Sequence, residues 1–211
     1  MGFSGCVLQP AFWIYCDCFV HSARLARHYN IDVPLMGRDF QIREFQAADF
    51  DALWSIDQAC FPPGISYSRA ELKNYMRRRA SFTLVGVSTA EEIMAGSTVP
   101  DGRKDPPSVP QTSDAIAGFI VAEVGRGSGH IITIDVIASA RRFGVGSLLL
   151  RGAEDRLRVI GCQTVELETA VDNISALSFY KRHGYSVIRT FPRYYPNGVD
   201  ALVLEKDLRP R

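Results

Sequence analysis

Three features that this chain of 211 residues lacks narrow its function. No apolar stretch reaches the roughly 18 residues that a membrane-spanning helix needs. Neither sign of charge dominates, with 24 Lys and Arg against 23 Asp and Glu, so the composition gives no reason to expect nucleic acid as the main partner. There is no internal repeat. The hydrophobic share of 46% is that of an ordinary globular protein with one substantial core.

The cysteines exclude two further classes of structure. The chain has five, and no two of them have the C-x-x-C spacing. An odd number without that spacing indicates neither a disulfide framework nor a zinc site. We therefore expect no bound metal, and reduced thiols in a cytoplasmic protein.

The first 35 residues differ from the rest of the chain. They are apolar and aromatic without a clear period, and they lack the basic segment that opens a signal peptide. Because Met36 stands just before the first clear strand, three interpretations of 1–35 remain: residues upstream of the true start, a docked extension, or a weak interfacial anchor. We predict an extension at 1–35 without an assigned function and one domain at 36–211. Within that domain, 96–114 is rich in Pro, Ser, Asp and Gly and is predicted to be a flexible loop.

The stretch from 131 to 160 organises the predicted fold. Residues 131–136 alternate as in a β-strand, and apolar side chains from 145 to 160 have helical spacing. Gly144 and Gly146 stand at the start of that helix, where free backbone N–H groups and the helix dipole favour an anion. With Arg141 and Arg142 just before the turn, the pattern predicts a phosphate-binding site.

The remaining elements follow from similar periodicity. Strands are predicted at 40–45, 82–87, 116–124, 164–169, 185–190 and 201–205, and helices at 49–60, from Ser68 onward and at 173–183. Early antiparallel strands followed by one strand–helix–strand crossover indicate a mixed α+β sheet, with a right-handed crossover.

Acidic and amide side chains supply the first candidates for chemistry. Glu166 and Glu168 share one face of their strand, whereas a central parallel strand is normally apolar on both faces. Asn173 and Tyr180 lie two turns apart on one face of a helix, so the amide could cap the helix or bind a ligand, and the phenol could donate a proton. Each pattern also fits a purely structural role: a solvated face, a helix cap and a half-buried tyrosine.

Aromatic residues and a histidine supply the others. Tyr194 and Tyr195 lie in a predicted loop between prolines, a setting more typical of a binding groove than of a core. His130 directly precedes the strand predicted at 131–136 and is either a polar surface group or a catalytic one. The glycine turn also invites comparison with the dinucleotide fingerprint G-x-G-x-x-G/A. Leu149 stands at the third glycine position, and the turn comes late in the chain, so a dinucleotide-binding oxidoreductase is disfavoured.

Several of these motifs together resemble the GNAT N-acetyltransferase superfamily. The sequence RRFGVG at 141–146 is similar to its R/Q-x-x-G-x-G/A acyl-CoA signature, and Leu167-Glu168, Asn173 and FYKRHGY at 179–185 resemble its second half. The segments YYP at 194–196 and DALVL at 200–204, with Cys60-Phe61-Pro62 and Ser66-Tyr67, resemble the protein N-terminal acetyltransferases, including the ribosomal-protein alanine type. The resemblance covers about residues 40–206.

The resemblance implies a GNAT-like fold, a central mixed and mostly antiparallel sheet flanked by helices, and roles for named residues. It implies Glu168 as the general base and Tyr180 as the acid that protonates the leaving thiolate, with His130 as the alternative base. It assigns acetyl-CoA binding to Ile134, Asp135, Val136, Arg141, Arg142, Phe143, Gly144, Val145, Gly146, Ser147 and Asn173. It assigns acceptor binding to Phe61, Pro62, Tyr67, Tyr194 and Tyr195. Asp135 departs from the pattern, because relatives have a small or apolar residue there; it would act as a second acid near the amine or orient a water.

The expected function is acetyl transfer from acetyl-CoA to the α-amine of a protein or peptide, without nucleic acid or membrane partners, by a monomer or a homodimer. Two alternatives stay open. The acceptor would be a small amine or a lysine side chain, or the protein would bind acyl-CoA as a regulator without catalysis.

Overall fold

The computed structural model describes residues 40–61, 65–88 and 115–210, which form a seven-stranded sheet with helices on both faces. The strands are β1 (Phe40–Glu44), β2 (Ser81–Ser88), β3 (Ala115–Val124), β4 (Ser128–Val136), β5 (Thr164–Ala170), β6 (Ser186–Phe191) and β7 (Ala201–Asp207). The helices are α1 (Phe50–Cys60), α2 (Arg69–Arg77), α3 (Val145–Ile160) and α4 (Ile174–Arg182). The predicted extension at 1–35 and loop at 96–114 lie outside the described residues.

The topology confirms the mixed α+β prediction. The sheet order is β1-β2-β3-β4-β5-β7-β6, and every neighbouring pair is antiparallel except β4 and β5. The parallel pair is connected through α3, which is the one crossover that the periodicity predicts. Among the described residues, no helix is long and apolar enough to cross a bilayer.

Helix α3 lies close against one face of the sheet because glycines give it room. A Cβ atom built on Gly129 of β4 would collide with the side chain of Leu157, and one built on Gly152 of α3 would collide with Ile42. Both glycines therefore mark contacts that any side chain would push apart. Gly161 ends the helix with φ +100° and donates to Leu157 and Arg158, as a C-cap glycine does.

Helices α1 and α2 cover the opposite face. Helix α1 contacts β3 and β4, and α2 contacts β2. The predicted capping box of α2 is present, since Ser68 accepts from the N–H of Glu71 while the Glu71 carboxylate accepts from the N–H of Ser68. Arg78, directly after α2, binds Glu123 of β3 at 2.9 Å, which ties this layer to the sheet.

A β-bulge in β4 decides which of its side chains reach that second face. Val121 of β3 pairs with Thr133 and Ala122 pairs with Ile131, so Ile132 has no residue opposite it. Because of this extra residue, His130, Thr133 and Asp135 share one face, whereas strict alternation would put His130 with the isoleucines. The neighbouring Gly129 faces α3, so these three residues point to the side covered by α1 and α2.

Candidate active site

The candidate site lies where β4 and β5 part. The two strands pair only from Ser128 to His130 with Thr164 to Glu166, although β4 continues to Val136 and β5 to Ala170. The backbone groups of Ile134 to Val136 that point away from β3 therefore face an edge with no paired strand among the described residues. An edge of this kind can accept hydrogen bonds from an extended ligand, much as a sheet accepts a further strand.

The glycine turn lies just beyond this edge and has the conformation of an anion site. Gly144 is the N-cap of α3 with φ +89°, and Arg142 also has a positive φ of 67°. Leu148 is the first residue to donate to a carbonyl of the turn, that of Gly144 at 2.9 Å. The N–H groups of 145–147 precede it and have no acceptor within the helix, so they are available to a phosphate at the positive end of the dipole.

The side chain of Arg141 contacts the ends of β4 and α1. Its Nε atom donates to the carbonyl of Val136 at 3.0 Å, and one terminal nitrogen lies 3.6 Å from Sγ of Cys60. Cys60 also donates to the same carbonyl at 3.5 Å. Arg141 therefore connects the end of β4 to the end of α1, and a role in binding the cofactor directly stays a prediction.

Glu168 and His130 meet at the point where the strands separate. Nε2 of His130 lies 2.7 Å from Oε2 of Glu168, and both side chains are partly exposed, at 31% and 15%. Glu168 and His130, the two residues that the sequence analysis considers as the base, are therefore in direct contact. Arg189 lies 4.0 Å from the adjacent Glu166, a longer contact in a more exposed position.

The electrostatic surroundings favour a charged imidazole. Burial lowers the pKa of His130, but its hydrogen bond with Glu168 and the charges of Glu168, Glu123 and Glu166 outweigh burial and raise the pKa above the ordinary 6.5. The carboxylate that the imidazole faces thus stabilises the protonated form of His130.

Tyr180 is fully buried in α4, close to this region. Its ring stands edge-on to Phe179 and to Tyr185, with centroids 5.2 and 5.5 Å away. Burial, and then the charges of Asp135 and Tyr195, raise its pKa well above the usual value. The phenol is therefore neutral at any physiological pH and keeps its proton as a hydrogen-bond donor.

Asn173 has the structural role that its position at a helix start allows. Its Oδ1 atom accepts from the N–H of Ala176 at 3.0 Å, so it caps α4. The side chain is 3% exposed, and its Nδ2 atom has no hydrogen-bond partner among the described residues. The two N–H donors of this atom thus remain available to a ligand, and the predicted contact with the cofactor stays a prediction.

The predicted acceptor residues are more buried than expected. Phe61 and Tyr67 are 6% and 3% exposed and belong to the main core. Tyr195, at 2%, packs with Ala170 and Ala201 in a small separate cluster, against which the half-buried Tyr194 rests. The expectation that paired loop tyrosines avoid the core therefore holds only in part. Pro62 lies outside the described residues.

Asp135 is a residue of β4 and is almost completely buried, with 1% of its surface exposed. Its Oδ1 atom accepts from Oγ1 of Thr133 at 3.2 Å. Burial and then the charge of Asp57, on α1, raise its pKa well above the usual value. Sequence reasoning did not single out Asp57, although an aspartate on the apolar stripe of α1, between Leu53 and Cys60, is the kind of signal that could have found it.

The GNAT acetyltransferase family model matches residues 50–185, which include the edge of β4, the glycine turn, Glu168 and Tyr180. The chain belongs to the GNAT acetyltransferase family. Membership confirms the resemblance of the glycine-turn motif to the acyl-CoA signature of this family. Within the described residues there is no cluster of side chains that could hold a metal ion.

Curated relatives of this GNAT chain share modest identity with it. An uncharacterized N-acetyltransferase, MJ1530 of Methanocaldococcus jannaschii, is 33% identical over 46% of the chain, which spans 64% of that protein's length. An N-alpha-acetyltransferase of Sulfurisphaera tokodaii is 25% identical over 82% of the chain and 95% of its own length.

Solved structures share the GNAT fold at low identity. The ribosomal-protein-S18-alanine N-acetyltransferase from Escherichia coli matches with a TM-score of 0.63 and 19% identity, over 82% of this chain and 96% of that one. NAA60 of Arabidopsis thaliana in complex with acetyl-CoA matches with a TM-score of 0.65 and 17% identity, over 80% and 98%. Likeness at this identity shows the fold alone.

Proposed function

We propose that this GNAT acetyltransferase transfers acetyl from acetyl-CoA to the α-amine of a protein or peptide N-terminus. The observation that carries the proposal is the contact of His130 with Glu168, placed where β4 leaves β5 and next to the unpaired edge of β4. The name of the Sulfurisphaera tokodaii relative, an N-alpha-acetyltransferase aligned over most of both chains, supports the α-amine as the acceptor.

The residues present fit acetyl-CoA. The amides of 145–147, with the positive φ of Arg142 and Gly144, form a concave donor set suited to the pyrophosphate. The free edge of β4 at Ile134 to Val136 would hold the pantetheine arm and the acetyl carbonyl by backbone hydrogen bonds. The bound co-substrate supplies an acetyl group activated as a thioester.

The His130–Glu168 pair would remove the proton of the acceptor ammonium. Glu168 accepts it directly or through a water, and His130 shares it across their 2.7 Å contact. With its lone pair free, the amine attacks the thioester carbonyl, so that a C–N bond forms as the C–S bond breaks. No covalent bond to the enzyme is needed.

Tyr180 would protonate the leaving sulfur. Its phenol is kept neutral by burial, so the proton is present when the thiolate departs. The negative charge that develops on the departing sulfur makes this atom the acceptor of the proton, and the packing of Tyr180 between Phe179 and Tyr185 holds the donor ring in place. The sites of acid and base are thus on different elements, α4 and the β4–β5 pair.

Acceptor binding is assigned to the two segments that flank the pair. Tyr194 and Tyr195 lie in the connection between β6 and β7. Burial is the main cause that raises the pKa of each phenol, and the charge of Glu168 adds to it in both. Phe61 and Tyr67 bound the α1–α2 connection on the other side. Of these four, Tyr194 has the most exposed side chain for contact with a peptide.

The experiment is acetyl transfer to a panel of short peptides that differ in their first residue. Each peptide is made with a free and with a blocked N-terminus, and the products are identified by mass spectrometry. Modification of the free peptides alone, with a preference among first residues, is the expected result. Acetylation of lysines in blocked peptides would move the acceptor to a side-chain amine, and binding of acetyl-CoA without any turnover would favour a regulator.

A further inference from the structure

Two buried carboxyl groups that the proposed mechanism does not use lie between α1 and β4. Asp57 is 0% exposed and Asp135 is 1% exposed. Oδ2 of Asp57 accepts from the N–H of Tyr67 at 2.9 Å and from Nε2 of Gln58 at 3.0 Å. Oδ1 of Asp135 accepts from the hydroxyl of Thr133 at 3.2 Å. Each carboxyl thus has one satisfied oxygen.

The second oxygen of each carboxyl has no hydrogen-bond partner among the described residues. These atoms are Oδ1 of Asp57 and Oδ2 of Asp135, and the hydroxyl of the adjacent, 3% exposed Tyr67 also lacks a partner there. An ionised carboxylate only accepts hydrogen bonds, so two ionised groups here would leave buried negative charge without donors. A retained proton turns one carboxyl into a donor and removes one of the two charges.

The charges around the pair do not neutralise it. The titratable and charged groups that act on Asp135 or Asp57 come from every element packed against them: Cys60 of α1, Tyr67 of the α1–α2 connection, Glu71 of α2, Arg141 of the turn and Tyr180 of α4. Arg141 is the only cation among them, and it is held by the carbonyl of Val136 and by Cys60. Glu71 adds a further negative charge.

The pair connects the two parts of the proposed site: Asp57 binds Tyr67 of the acceptor side, and Asp135 belongs to β4, which would hold the acetyl group. The backbone of Tyr67 is fixed twice: its N–H donates to Asp57, and its carbonyl accepts from Nε1 of Trp54 at 3.1 Å and from Nε2 of Gln58 at 2.8 Å. Asp135 belongs to the part of β4 whose free edge faces the gap. Repulsion between the two carboxylates would therefore push Tyr67 away from β4.

We propose that Asp57 and Asp135 are positioning residues that retain one proton between them, and that this proton keeps Tyr67 seated against β4. The inference rests on the proposed function in one respect, because it makes Tyr67 part of the acceptor site. Loss of the proton at alkaline pH loosens that seat, so the KM for the acceptor rises while the affinity for acetyl-CoA changes little.

The test compares Asp135→Asn and Asp57→Asn with the wild-type chain between pH 6 and pH 9. An asparagine supplies a permanent donor of nearly the same shape, so it imitates the protonated carboxyl at every pH. The quantity followed is the ratio of variant to wild-type kcat/KM for one acceptor, in which the ionisation of the acceptor amine cancels. Asp155→Asn, at an exposed position on α3, is the matched control.

We expect the ratio for either buried variant to rise at least threefold from pH 6 to pH 9, through KM for the acceptor, and the ratio for Asp155→Asn to stay flat. A flat ratio for both buried variants would overturn the proposal. Any accepted amine serves for this comparison, so a change of acceptor class in the peptide panel leaves the test intact.

A second readout needs no turnover. Burial raises the folded-state pKa of Asp57 to about 7, above the unfolded value of 3.8, and that of Asp135 moves in the same direction, so the wild-type chain loses stability as pH rises from about 4 through 7. The asparagine variants do not lose this share of the stability as pH rises, because asparagine does not titrate. The difference in unfolding temperature, variant minus wild type, should increase by several degrees from pH 5 to pH 8. A difference that does not change with pH would contradict a shared proton.

Discussion

Nε2 of His130 lies 2.7 Å from Oε2 of Glu168, although the two residues are 38 positions apart on different strands. Two features of the backbone bring them together: the parallel register that sets His130 opposite Glu166, and the bulge at Ile132 that separates the direction of His130 from that of the isoleucines. Bulges next to active sites commonly redirect a side chain in this way. The pair is the basis of the predictions about proton removal.

Replacing Glu168 by Gln should reduce kcat strongly and leave the affinity for acetyl-CoA unchanged. The amide keeps the size of the side chain but cannot take a proton, and general-base catalysis contributes roughly 10²- to 10⁴-fold. Steady-state kinetics with a saturating acceptor, and calorimetric titration with acetyl-CoA, measure the two effects.

Glu166→Gln is the matched control for this change. Glu166 lies two residues before Glu168, on the same face of β5. Its carboxylate is 4.0 Å from Arg189 and, within the described residues, does not contact a histidine side chain. Its replacement should alter kcat by less than about threefold. Equal losses in both variants would mean that negative charge on this face matters and that Glu168 has no particular role as base.

His130→Gln should change the pH dependence of turnover. Burial lowers the pKa of His130, but Glu168 and its acidic neighbours raise it above 6.5, so the wild type loses neutral imidazole as pH falls through this raised pKa. Gln does not titrate. The ratio of variant to wild-type kcat/KM should therefore increase as pH is lowered from 8 to 6, and a ratio independent of pH would remove His130 from the proton pathway.

The same pair should also make stability depend on pH, with a definite sign. Because the folded-state pKa of His130 is raised, the stabilisation by Glu168 is fully present below the unfolded pKa of about 6.5 and is lost as pH rises through the folded value. Thermal unfolding of wild type and His130→Gln should therefore differ more at pH 5.5 than at pH 9. A difference that grows toward alkaline pH would contradict this assignment.

Tyr180→Phe should slow turnover by roughly 10²-fold, since it removes the phenolic proton while keeping the buried ring. The change should leave KM for the acceptor nearly constant, because the fully buried Tyr180 is assigned to the leaving sulfur and not to acceptor binding. Tyr185→Phe provides a contrast. It removes the hydrogen bond to the buried Glu154 at 3.1 Å and should lower the unfolding temperature with little effect on kcat. Unchanged kinetics for Tyr180→Phe would leave that residue a packing role only.

Gly144→Ala should weaken acetyl-CoA binding about tenfold. Gly144 has φ +89°, and an L-residue in that conformation costs about 1–2 kcal/mol, so the turn that presents the amides is strained or shifted. Gly161→Ala is the control at the other end of the same helix, with φ +100° and no neighbour that a Cβ would touch. Both variants should lose similar stability, but only Gly144→Ala should change the dissociation constant.

Local periodicity was sufficient to predict the elements, the mixed α+β class of the sheet and its one crossover. The alternation in β4, the apolar stripe of α3 and the glycine at 161 fix the crossover, and the capping box starting at Ser68 fixes the start of α2. The residues that make up each of these patterns are close together in the sequence. Each element therefore forms through hydrogen bonds and burial that depend on its own residues. The GNAT motif then supplied the family.

The contacts that depend on three-dimensional packing were not predictable in the same way. Strict alternation groups Ile131 with Asp135, whereas the bulge places His130 with Asp135, and a bulge leaves no clear mark in the residues themselves. The side chain of Arg141 contacts Cys60, which is 81 positions away in the sequence. The burial of Tyr195 likewise depends on β5 and β7, through Ala170 and Ala201.

The central claim is that the acetyl group goes to an α-amine. Its most direct test is one peptide that carries a free N-terminus and an internal lysine, incubated with the enzyme and acetyl-CoA, with the product fragmented in the mass spectrometer to locate the added group. The proposed function predicts acetyl on the α-nitrogen alone, and far less of this product in the same time with Glu168→Gln. Acetyl on the lysine side chain, with the N-terminus left free, would contradict it.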